Sequence, residues 1–487
     1  MKKILKNKKI WIFLGIVLIF FGSMTKVEYT SDSYLFFKET WDKPFYHFLG
    51  LGRFLSGFLW LSLCKTNFNV MYIISYTISI IVTTLSLYEL DELLKRDIKN
   101  GLVSGIISVL IVINPFSLEL MLFYEKSILM LSVLFNILAV KKLDDAFSSN
   151  KKKDYLLVFI YIVLAYFSYQ GTVALFLSLG VIYILKYSKN IKDFFIKNIQ
   201  VGLLYAIPAI INYIPIKFIF KTSRMEGTLT ISEKIVMIYN SLKEIIFKTS
   251  DVFPKYFFLI VVSIASITLI VKIIKSKNTS SRKVIYILGF IYIILANIIS
   301  TSAPQVFQNW VSIVPRNAYS IGAGVGIIWA YLCMNFEVKY ILENIIITTS
   351  MIFLLMQLIS FNEIIIGHYQ TNSIDVNIAE QIRDKVYEYE NEKNINVKYI
   401  VLYSDTNKAT MYKNIRYYGD VNIKAYANSW GTRGILDWKL EREIIDDTTK
   451  EEKYNKYKAN FEEKNWDYFD INEQVIIDED TIYLCVY

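Results

Sequence analysis

Long apolar runs constrain this chain more than any other feature of its sequence. A helix that crosses a bilayer needs about 20 apolar residues, and such runs recur up to residue 360. The 487 residues are 54% hydrophobic, which is typical of a polytopic α-helical membrane protein. We expect about eleven transmembrane helices, at 10–24, 70–90, 101–115, 127–140, 155–168, 171–186, 200–220, 256–274, 284–299, 319–334 and 344–360.

The charge of the connectors predicts the orientation of these spans. If segment 45–64 lies on the membrane surface, the connectors 91–100, 141–154, 186–199 and 272–283 face the cytoplasm and carry seventeen Lys and Arg. The short connectors on the other side then carry two. Because positive connectors stay inside, we place 45–64 on the outer surface. The predicted location is the plasma membrane, with several passes.

The net charge of +9 does not indicate nucleic-acid binding, because the basic residues lie in short tracts between apolar runs. Met1 to Lys9 holds five lysines before the first apolar run, without a cleavage pattern after it, so we interpret this run as an uncleaved helix. Three distant cysteines and two histidines leave no disulfide framework and no His-rich zinc site.

The composition changes after residue 361, where charges become dense and long apolar runs end. An amphipathic helix is predicted over 374–391, and strands over 397–403, 473–477 and 481–487. We therefore divide the chain into a transmembrane catalytic domain, 1–360, whose first external loop is 25–69, and a small α/β domain, 361–487. With an odd number of spans, the second domain is extracytoplasmic.

The first external loop carries the candidate catalytic acids. They are Asp32 and Glu28, which follow the first span closely; Asp42, further along the loop, is a candidate for sugar or acceptor binding. Partial burial against lipid and aromatic side chains would raise a carboxyl pKa and make it a better general base. A single acid acting as base is typical of displacement with inversion. An equally simple interpretation of Asp32 is a solvated loop carboxylate.

Three arginines at the predicted outer face indicate an anionic ligand. Arg53 interrupts the apolar stretch Leu51–Leu55, and Arg224 and Arg316 lie in later external connectors. A guanidinium binds phosphate or carboxylate with two parallel hydrogen bonds. A lipid phosphate is the natural candidate at headgroup depth. Arg53 could instead extend to the headgroups and anchor a surface helix.

Two further outer turns carry groups that suit sugar recognition. Tyr124 and Glu125 lie in one of them, and Tyr169 and Gln170 form the tightest outer turn of the chain. Phenol, amide and carboxylate groups all hydrogen-bond hydroxyls. Glu125 could instead lie at the membrane–water interface without binding a sugar.

These residues together resemble a known family. An acid after the first span, Gly52-Arg53, Tyr124-Glu125, Tyr169-Gln170 and Pro315-Arg316 are similar in order and topology to the type II glucosyltransferases that modify O-antigens and other bacterial surface polysaccharides. The resemblance covers roughly residues 10–335. It implies a GT-C class fold, a polyprenyl-phosphate sugar donor, a catalytic acid in the first external loop, and inversion.

The resemblance also bears on partners and cofactors. The expected partners are the lipid-linked hexose (glucose in the family), a surface glycan or polymer as acceptor, and membrane lipid. Family members often have adjacent acids in the first loop, whereas Ser33 follows Asp32 here. We therefore predict no cofactor and no tightly bound divalent metal.

Two other functions share part of this pattern. A polysaccharide polymerase or ligase would use a similar donor but transfer a whole glycan. A flippase or transporter would place ionisable residues deep within its spans, and such residues are sparse here. The early Gly-Arg and the first-loop acid favour the glycosyltransferase.

Overall fold

The computed structural model describes residues 7–36, 42–63, 68–220, 229–248, 252–306, 314–405, 409–462 and 464–486. The chain forms two compact units. The first comprises Met1–Thr25 and Phe45–Asn362, and the second comprises Lys26–Pro44 and Glu363–Tyr487. Residues 26–44, which the sequence analysis placed in the transmembrane domain, belong to the C-terminal unit.

The first unit is helical throughout its described part. Asparagine side chains cap several helix N-termini, where they satisfy backbone N–H groups that lack an intrahelical partner; Asn100, for example, accepts from Leu102 N at 3.0 Å. Two α-helices, Asp42–Gly50 and Tyr340–Lys393, contain residues of both units. The other α-helices of the first unit are Lys8–Phe21, Phe54–Leu63, Phe68–Leu94, Gly101–Val112, Ser117–Leu122, Lys126–Ser149, Lys152–Ser168, Ala174–Tyr187, Ile191–Pro215, Ile231–Lys248, Phe257–Lys275, Ser280–Val306, Tyr319–Gly322 and Gly324–Asn335.

Eight helical segments within the described ranges are long and apolar enough to cross a membrane. They are Lys8–Thr25, Asn69–Leu94, Gln170–Tyr187, Ile191–Phe220, Phe257–Lys275, Ser280–Ile298, Pro315–Asn335 and Tyr340–Lys393. The other three predicted spans coincide with the helices Gly101–Val112, Lys126–Ser149 and Lys152–Ser168, which are shorter or more charged. The membrane class is therefore supported, and the number eleven stays a prediction.

Large apolar side chains cover the outside of several of these helices. On Ile191–Pro215, for example, Ile199 is 63% exposed and Ile210 is 56% exposed. A water-soluble protein would bury such a row of side chains. Lipid chains are the expected neighbours of these surfaces.

The ambiguous segment 45–64 is broken into two short helices. Asp42–Gly50 has 9 residues and Phe54–Leu63 has 10, so each is about half the length that a span needs. Gly52, at φ +71°, sits in the break, a backbone conformation that favours glycine. This geometry agrees with a segment that does not cross the membrane as one helix.

Connectors that were predicted to face the cytoplasm contact one another. Arg96 pairs with Asp144 at 2.7 Å, and Lys186 pairs with Asp144 at 3.1 Å and with Asp97 at 2.9 Å. These residues come from three different predicted cytoplasmic connectors. The alternation of the chain between two faces, which the charge pattern predicted, is consistent with these contacts.

The last predicted span and the predicted helix 374–391 are parts of one helix, Tyr340–Lys393. Its apolar segment lies at 344–360, and its charged second half belongs to the C-terminal unit. The predicted span 344–360 and the predicted helix 374–391 look separate in the sequence because the composition changes between them. Helical geometry continues through that change, since no proline interrupts the backbone there.

The C-terminal unit contains a four-stranded sheet in the order β2-β1-β4-β3. The strands are β1 Tyr399–Ser404, β2 Ile445–Asp446, β3 Val475–Asp478 and β4 Thr481–Val486. β1 is parallel to β2 and β4, and β3 is antiparallel to β4. Its further α-helices are Ser429–Lys439, Glu451–Lys456, Lys458–Phe461 and Ile471–Gln474. The small sheet agrees with the predicted α/β character of this part of the chain.

Apolar residues of β1 and β4 form the core of this unit. Val401 and Tyr403 from β1 and Tyr483 and Cys485 from β4 pack with Trp466. The burial of these side chains stabilises the sheet by roughly 1.5–3 kcal/mol per large apolar residue. The edge strand β2 is too short for the sequence pattern to reveal.

Candidate functional site

The turn between the two short helices fixes the backbone around Arg53. Gln170 Nε2 donates to Leu51 O at 3.0 Å, and Asn212 Nδ2 donates to Gly52 O at 2.8 Å. A Cβ atom on Gly52 would lie only 2.7 Å from Gln170 Nε2 and 2.8 Å from Asn212 Oδ1. Glycine is therefore required both for its positive φ and for this close approach. Gln170 therefore stabilises the turn before Arg53 through its hydrogen bond to Leu51 O.

Arg53 forms an ion pair with Glu125. The Glu125 side chain is 3% exposed, and its second oxygen, Oε2, is buried without a hydrogen-bond partner among the described residues. The guanidinium carbon of Arg53 lies 4.8 Å from the centroid of the Tyr169 ring. Arg53 is thus held between a carboxylate and an aromatic face, which is the arrangement a guanidinium favours.

Tyr169 connects Arg53 to the connector that contains Arg316 and Asn317. Its hydroxyl is 2.5 Å from Asn317 Oδ1, to which it donates. A Cβ atom on Gly171 would lie 2.9 Å from Asn317 Cα and 3.0 Å from Arg316 O. Glycine at 171 therefore allows the two turns to pack closely together.

Arg316 repeats the arrangement of Arg53. Its Nη1 donates to Glu119 Oε1 at 2.8 Å, and its backbone N donates to Glu119 Oε2 at 2.6 Å. The guanidinium carbon lies 4.5 Å from the centroid of the Phe123 ring, and Glu119 is fully buried. We call Arg53, Glu119, Glu125, Tyr169 and Arg316 the arginine–glutamate cluster.

Lys126 follows this cluster in sequence and is fully buried. Its Nζ lies 3.5 Å from the centroid of the Tyr72 ring and, among the residues the structure describes, has no hydrogen-bond partner. A buried ammonium without an anion is costly. Burial lowers the pKa of the Lys126 amine well below its ordinary value, which favours the neutral form unless an anion binds nearby.

The acids of the first loop belong to the C-terminal unit. Asp32 lies in the 3₁₀ helix Ser31–Phe36, is half-buried, and accepts from Trp430 Nε1 at 3.3 Å. Glu28 is 4% exposed and pairs with Lys26 at 2.7 Å. Burial raises the pKa of Glu28 above its ordinary value, although the Lys26 ammonium acts in the opposite direction. Burial therefore makes Glu28 a better proton acceptor than an ordinary glutamate.

Glu28 also lines a cavity of about 390 Å³ within the C-terminal unit. Helix Tyr340–Lys393 and Trp438 provide other parts of the wall. Asp32 is not one of its lining residues. The structure thus separates the two predicted catalytic acids into different surroundings.

The remaining predicted residues are placed as follows. Tyr124 is 4% exposed and packs beside Phe48, with 6.0 Å between the ring centroids. Arg224 and the side chain of Asp42 lie outside the described residues. Within the described ranges, no group of three His, Cys, Asp or Glu residues could hold a metal ion.

Three residues of the site were not predicted from the sequence to be functional. Asn317 follows a predicted arginine directly, and Lys126 follows a predicted glutamate. Glu119 had the clearest signal, because it is an acid inside the apolar segment Phe116–Phe123. An ionisable residue in such a segment is costly unless it is paired or functional.

Comparison of the chain with known protein families, with curated proteins and with solved structures gave no match.

Proposed function

We propose that this chain is an integral-membrane glycosyltransferase of the GT-C class. In this proposal it moves a hexose, glucose by resemblance, from a polyprenyl-phosphate donor to a cell-surface glycan or polymer. The reaction takes place at the outer face of the membrane, with inversion at the anomeric carbon. The observation that carries the proposal is the arginine–glutamate cluster. Arg53 contacts Glu125 and Tyr169 there, and Tyr169 donates to Asn317, the neighbour of Arg316, so residues from four predicted outer connectors meet.

The cluster has the groups that a lipid phosphate needs. Arg53 and Arg316 lie at the ends of apolar helices, so in the proposed topology they are at headgroup depth. Each guanidinium is partly neutralised by a glutamate, which lowers the cost of its burial before the donor binds. The two glutamates balance the two arginines, so the buried amine of Lys126, unpaired among the described residues, is the remaining basic group that could meet the negative charge of a phosphodiester.

Glu125 is suited to hold the donor sugar. Its Oε1 is occupied by Arg53, whereas Oε2 has no partner in the described part of the chain. A carboxylate oxygen accepts hydrogen bonds from hydroxyls. We assign Oε2 to a sugar hydroxyl, and Tyr124, Tyr169 and Gln170 to the shape and rigidity of the surrounding walls.

The transfer step is a single displacement. The acceptor hydroxyl oxygen forms a bond to the anomeric carbon while the bond from that carbon to the phosphate oxygen breaks. The electron pair of the broken bond stays on the phosphate, whose negative charge increases by one and is neutralised by the arginines. The acceptor proton goes to a general base, for which the sequence pattern marks Asp32 and Glu28, and then to water.

The lipids of cells that lack the gene test this function. We expect polyprenyl-phosphate hexose to accumulate in a deletion strain, and to disappear when the wild-type gene is restored but not when Arg53→Ala is restored. Arg383→Ala, at an exposed arginine of the C-terminal unit, is the matched control and should restore the wild type.

Other outcomes would contradict the proposal. Accumulation of a polyprenyl-linked oligosaccharide would indicate a polymerase or ligase. A lipid-linked sugar that accumulates only on the cytoplasmic face would indicate a flippase. An unchanged lipid profile would argue against all three functions.

A further inference from the structure

The cavity of the C-terminal unit has walls from three parts of the chain. The residues after the first membrane helix contribute Lys26, Glu28 and Tyr29. The long helix contributes Asn372, Ser373, Asn377 and Glu380, and Trp438 completes the wall. Its volume of about 390 Å³ falls in the range of roughly 300–1,000 Å³ that small-molecule sites occupy.

The aromatic part of the wall is held in place by packing. The rings of Tyr29 and Trp438 meet edge to face with 5.9 Å between their centroids, and Tyr34 stacks on Trp438 at 6.0 Å. Asn372 Nδ2 donates to Tyr29 O at 3.1 Å and to Tyr34 Oη at 2.6 Å. Rigid aromatic faces bind apolar surface at a low cost in side-chain entropy.

The charges around the cavity are balanced within the protein. Glu28 pairs with Lys26 at 2.7 Å, and Glu380 pairs with Lys439 at 2.7 Å. The Lys439 ammonium also lies 4.2 Å from the centroid of the Trp438 ring. Because each lining carboxylate already has a cation, a charged ligand gains little here. A neutral ligand can still hydrogen-bond the paired carboxylates.

Exposed polar groups complete this pattern. Ser373 and Asn377 are exposed at the cavity, and Asn377 Oδ1 accepts from Gln381 Nε2 at 2.7 Å, which leaves its Nδ2 directed away from that contact. A hydroxyl, an amide and two paired carboxylates recognise a ligand that is rich in hydroxyl groups. The adjacent aromatic rings recognise its C–H faces.

We propose that this cavity binds an uncharged saccharide. On the proposed function, which this inference deepens, the saccharide is the acceptor glycan. Glu28 then serves as the general base, because it is the first-loop acid in the cavity wall. Asp32, which does not line the cavity, serves to position the first loop through its hydrogen bond with Trp430.

Saccharide binding to the full-length protein in detergent micelles tests the inference. The probes are defined neutral disaccharides of glucose, galactose and N-acetylglucosamine, and binding is followed by saturation-transfer NMR. We expect at least one probe to bind the wild type. Trp438→Ala should weaken that binding by roughly tenfold or more, because an aromatic contact is lost. Tyr468→Ala removes an exposed ring that does not line the cavity, and should bind normally.

A second variant keeps the test valid if Trp438→Ala fails to fold. Asn377→Ala changes an exposed side chain and should weaken binding about fivefold, the effect of one hydrogen bond. Absence of binding to the wild type, or equal binding by Asn377→Ala and Tyr468→Ala, would overturn the inference. If inorganic phosphate at about 10 mM, an ordinary buffer concentration, displaced the disaccharide, the inference would also be overturned. The balanced charges should leave no anion site in the cavity.

The donor-site variant separates this inference from the proposed function. Arg53→Lys belongs to the other unit and should bind the disaccharide normally while losing transfer. If the wild type transfers sugar from polyprenyl phosphate but binds no neutral saccharide, only the inference fails. If it binds the saccharide but performs no transfer, the proposed function fails and the binding site stands.

Discussion

We expect Asp375 to make the stability of the protein depend strongly on pH. Its carboxyl group lies in the charged half of helix Tyr340–Lys393, beyond the apolar segment, and is 2% exposed. Tyr412 Oη donates to Oδ1 at 2.7 Å, and Ala425 N donates to Oδ2 at 2.7 Å. Burial raises the pKa of Asp375 to about 7 although both donors and the Lys424 ammonium lower it.

The sign and the size of the effect follow from this shift. Between pH 4 and pH 7, about the interval between the unfolded and folded pKa, the folded protein keeps a proton that the unfolded chain has released. The free energy of unfolding therefore falls as the pH rises through this window. A shift from 3.8 to about 7 corresponds to about 4 kcal/mol, at 1.36 kcal/mol for each pKa unit.

Asp375→Asn removes this titration while it keeps the contacts. The amide oxygen can accept from Ala425 N, and the amide nitrogen can donate to Tyr412 Oη. We expect the variant to lose most of the pH dependence between pH 4.5 and pH 8. At pH 8 we expect it to be more stable than the wild type, by up to about 4 kcal/mol.

The assay is chemical unfolding of the full-length protein in detergent micelles, followed by near-ultraviolet circular dichroism at a series of pH values. Asp384→Asn, on the same helix and 67% exposed, is the matched control and should keep the wild-type pH dependence. An Asp375→Asn protein that is less stable at pH 8, with an unchanged pH dependence, would refute the reasoning. The two donors would then outweigh burial and hold the carboxylate in its charged form.

Three further predictions concern the site. Glu28→Gln should lower the initial rate of transfer by about 10²- to 10⁴-fold. Asp32→Asn keeps an oxygen that accepts from Trp430 and should lower the rate less. A larger loss of rate in Asp32→Asn than in Glu28→Gln would make Asp32 the base. A reporter active only outside the cytoplasm should be active when fused after residue 66 or 370 and silent after 96, 147, 192 or 279, and activity at 96 would mean that 45–64 crosses the membrane. Transfer should survive extensive chelation of divalent metals. If chelation abolishes transfer and magnesium or manganese restores it, Glu28, Asp32 and Asp42 would be the candidate metal ligands.

The helical architecture was largely readable from the sequence. Apolar periodic runs locate helices because a membrane helix must satisfy its backbone hydrogen bonds internally. The strands β1 and β4 were also predicted to within about two residues, since alternating β-branched and aromatic residues mark them. The continuity of helix Tyr340–Lys393 was not predicted, because composition indicates burial and not where a helix ends.

The site was predicted in part. The pattern marked Arg53, Glu125, Tyr169 and Arg316; Arg53 contacts Glu125 and Tyr169, whereas Arg316 pairs with Glu119, which the pattern did not mark. Their mutual contacts could not be predicted, because ion pairs such as Arg53–Glu125 join positions far apart in sequence. Nor could the pattern show that Glu28 and Asp32 lie in different surroundings. Glu28 lines a cavity with Asn372 and Trp438, and Asp32 bonds Trp430, and no local signal connects these three residues to the first loop.

Transfer by the purified protein tests the central claim most directly. The wild type, in nanodiscs with polyprenyl-phosphate [¹⁴C]glucose and a surface-glycan fraction, should release polyprenyl phosphate and label the glycan. Arg53→Lys keeps the charge but loses the two-pronged contact with phosphate. We expect transfer to fall by about 10- to 100-fold, equivalent to one charged hydrogen bond, while Arg383→Lys keeps the wild-type rate. Full activity of Arg53→Lys would contradict the assignment of the arginine–glutamate cluster to the donor phosphate.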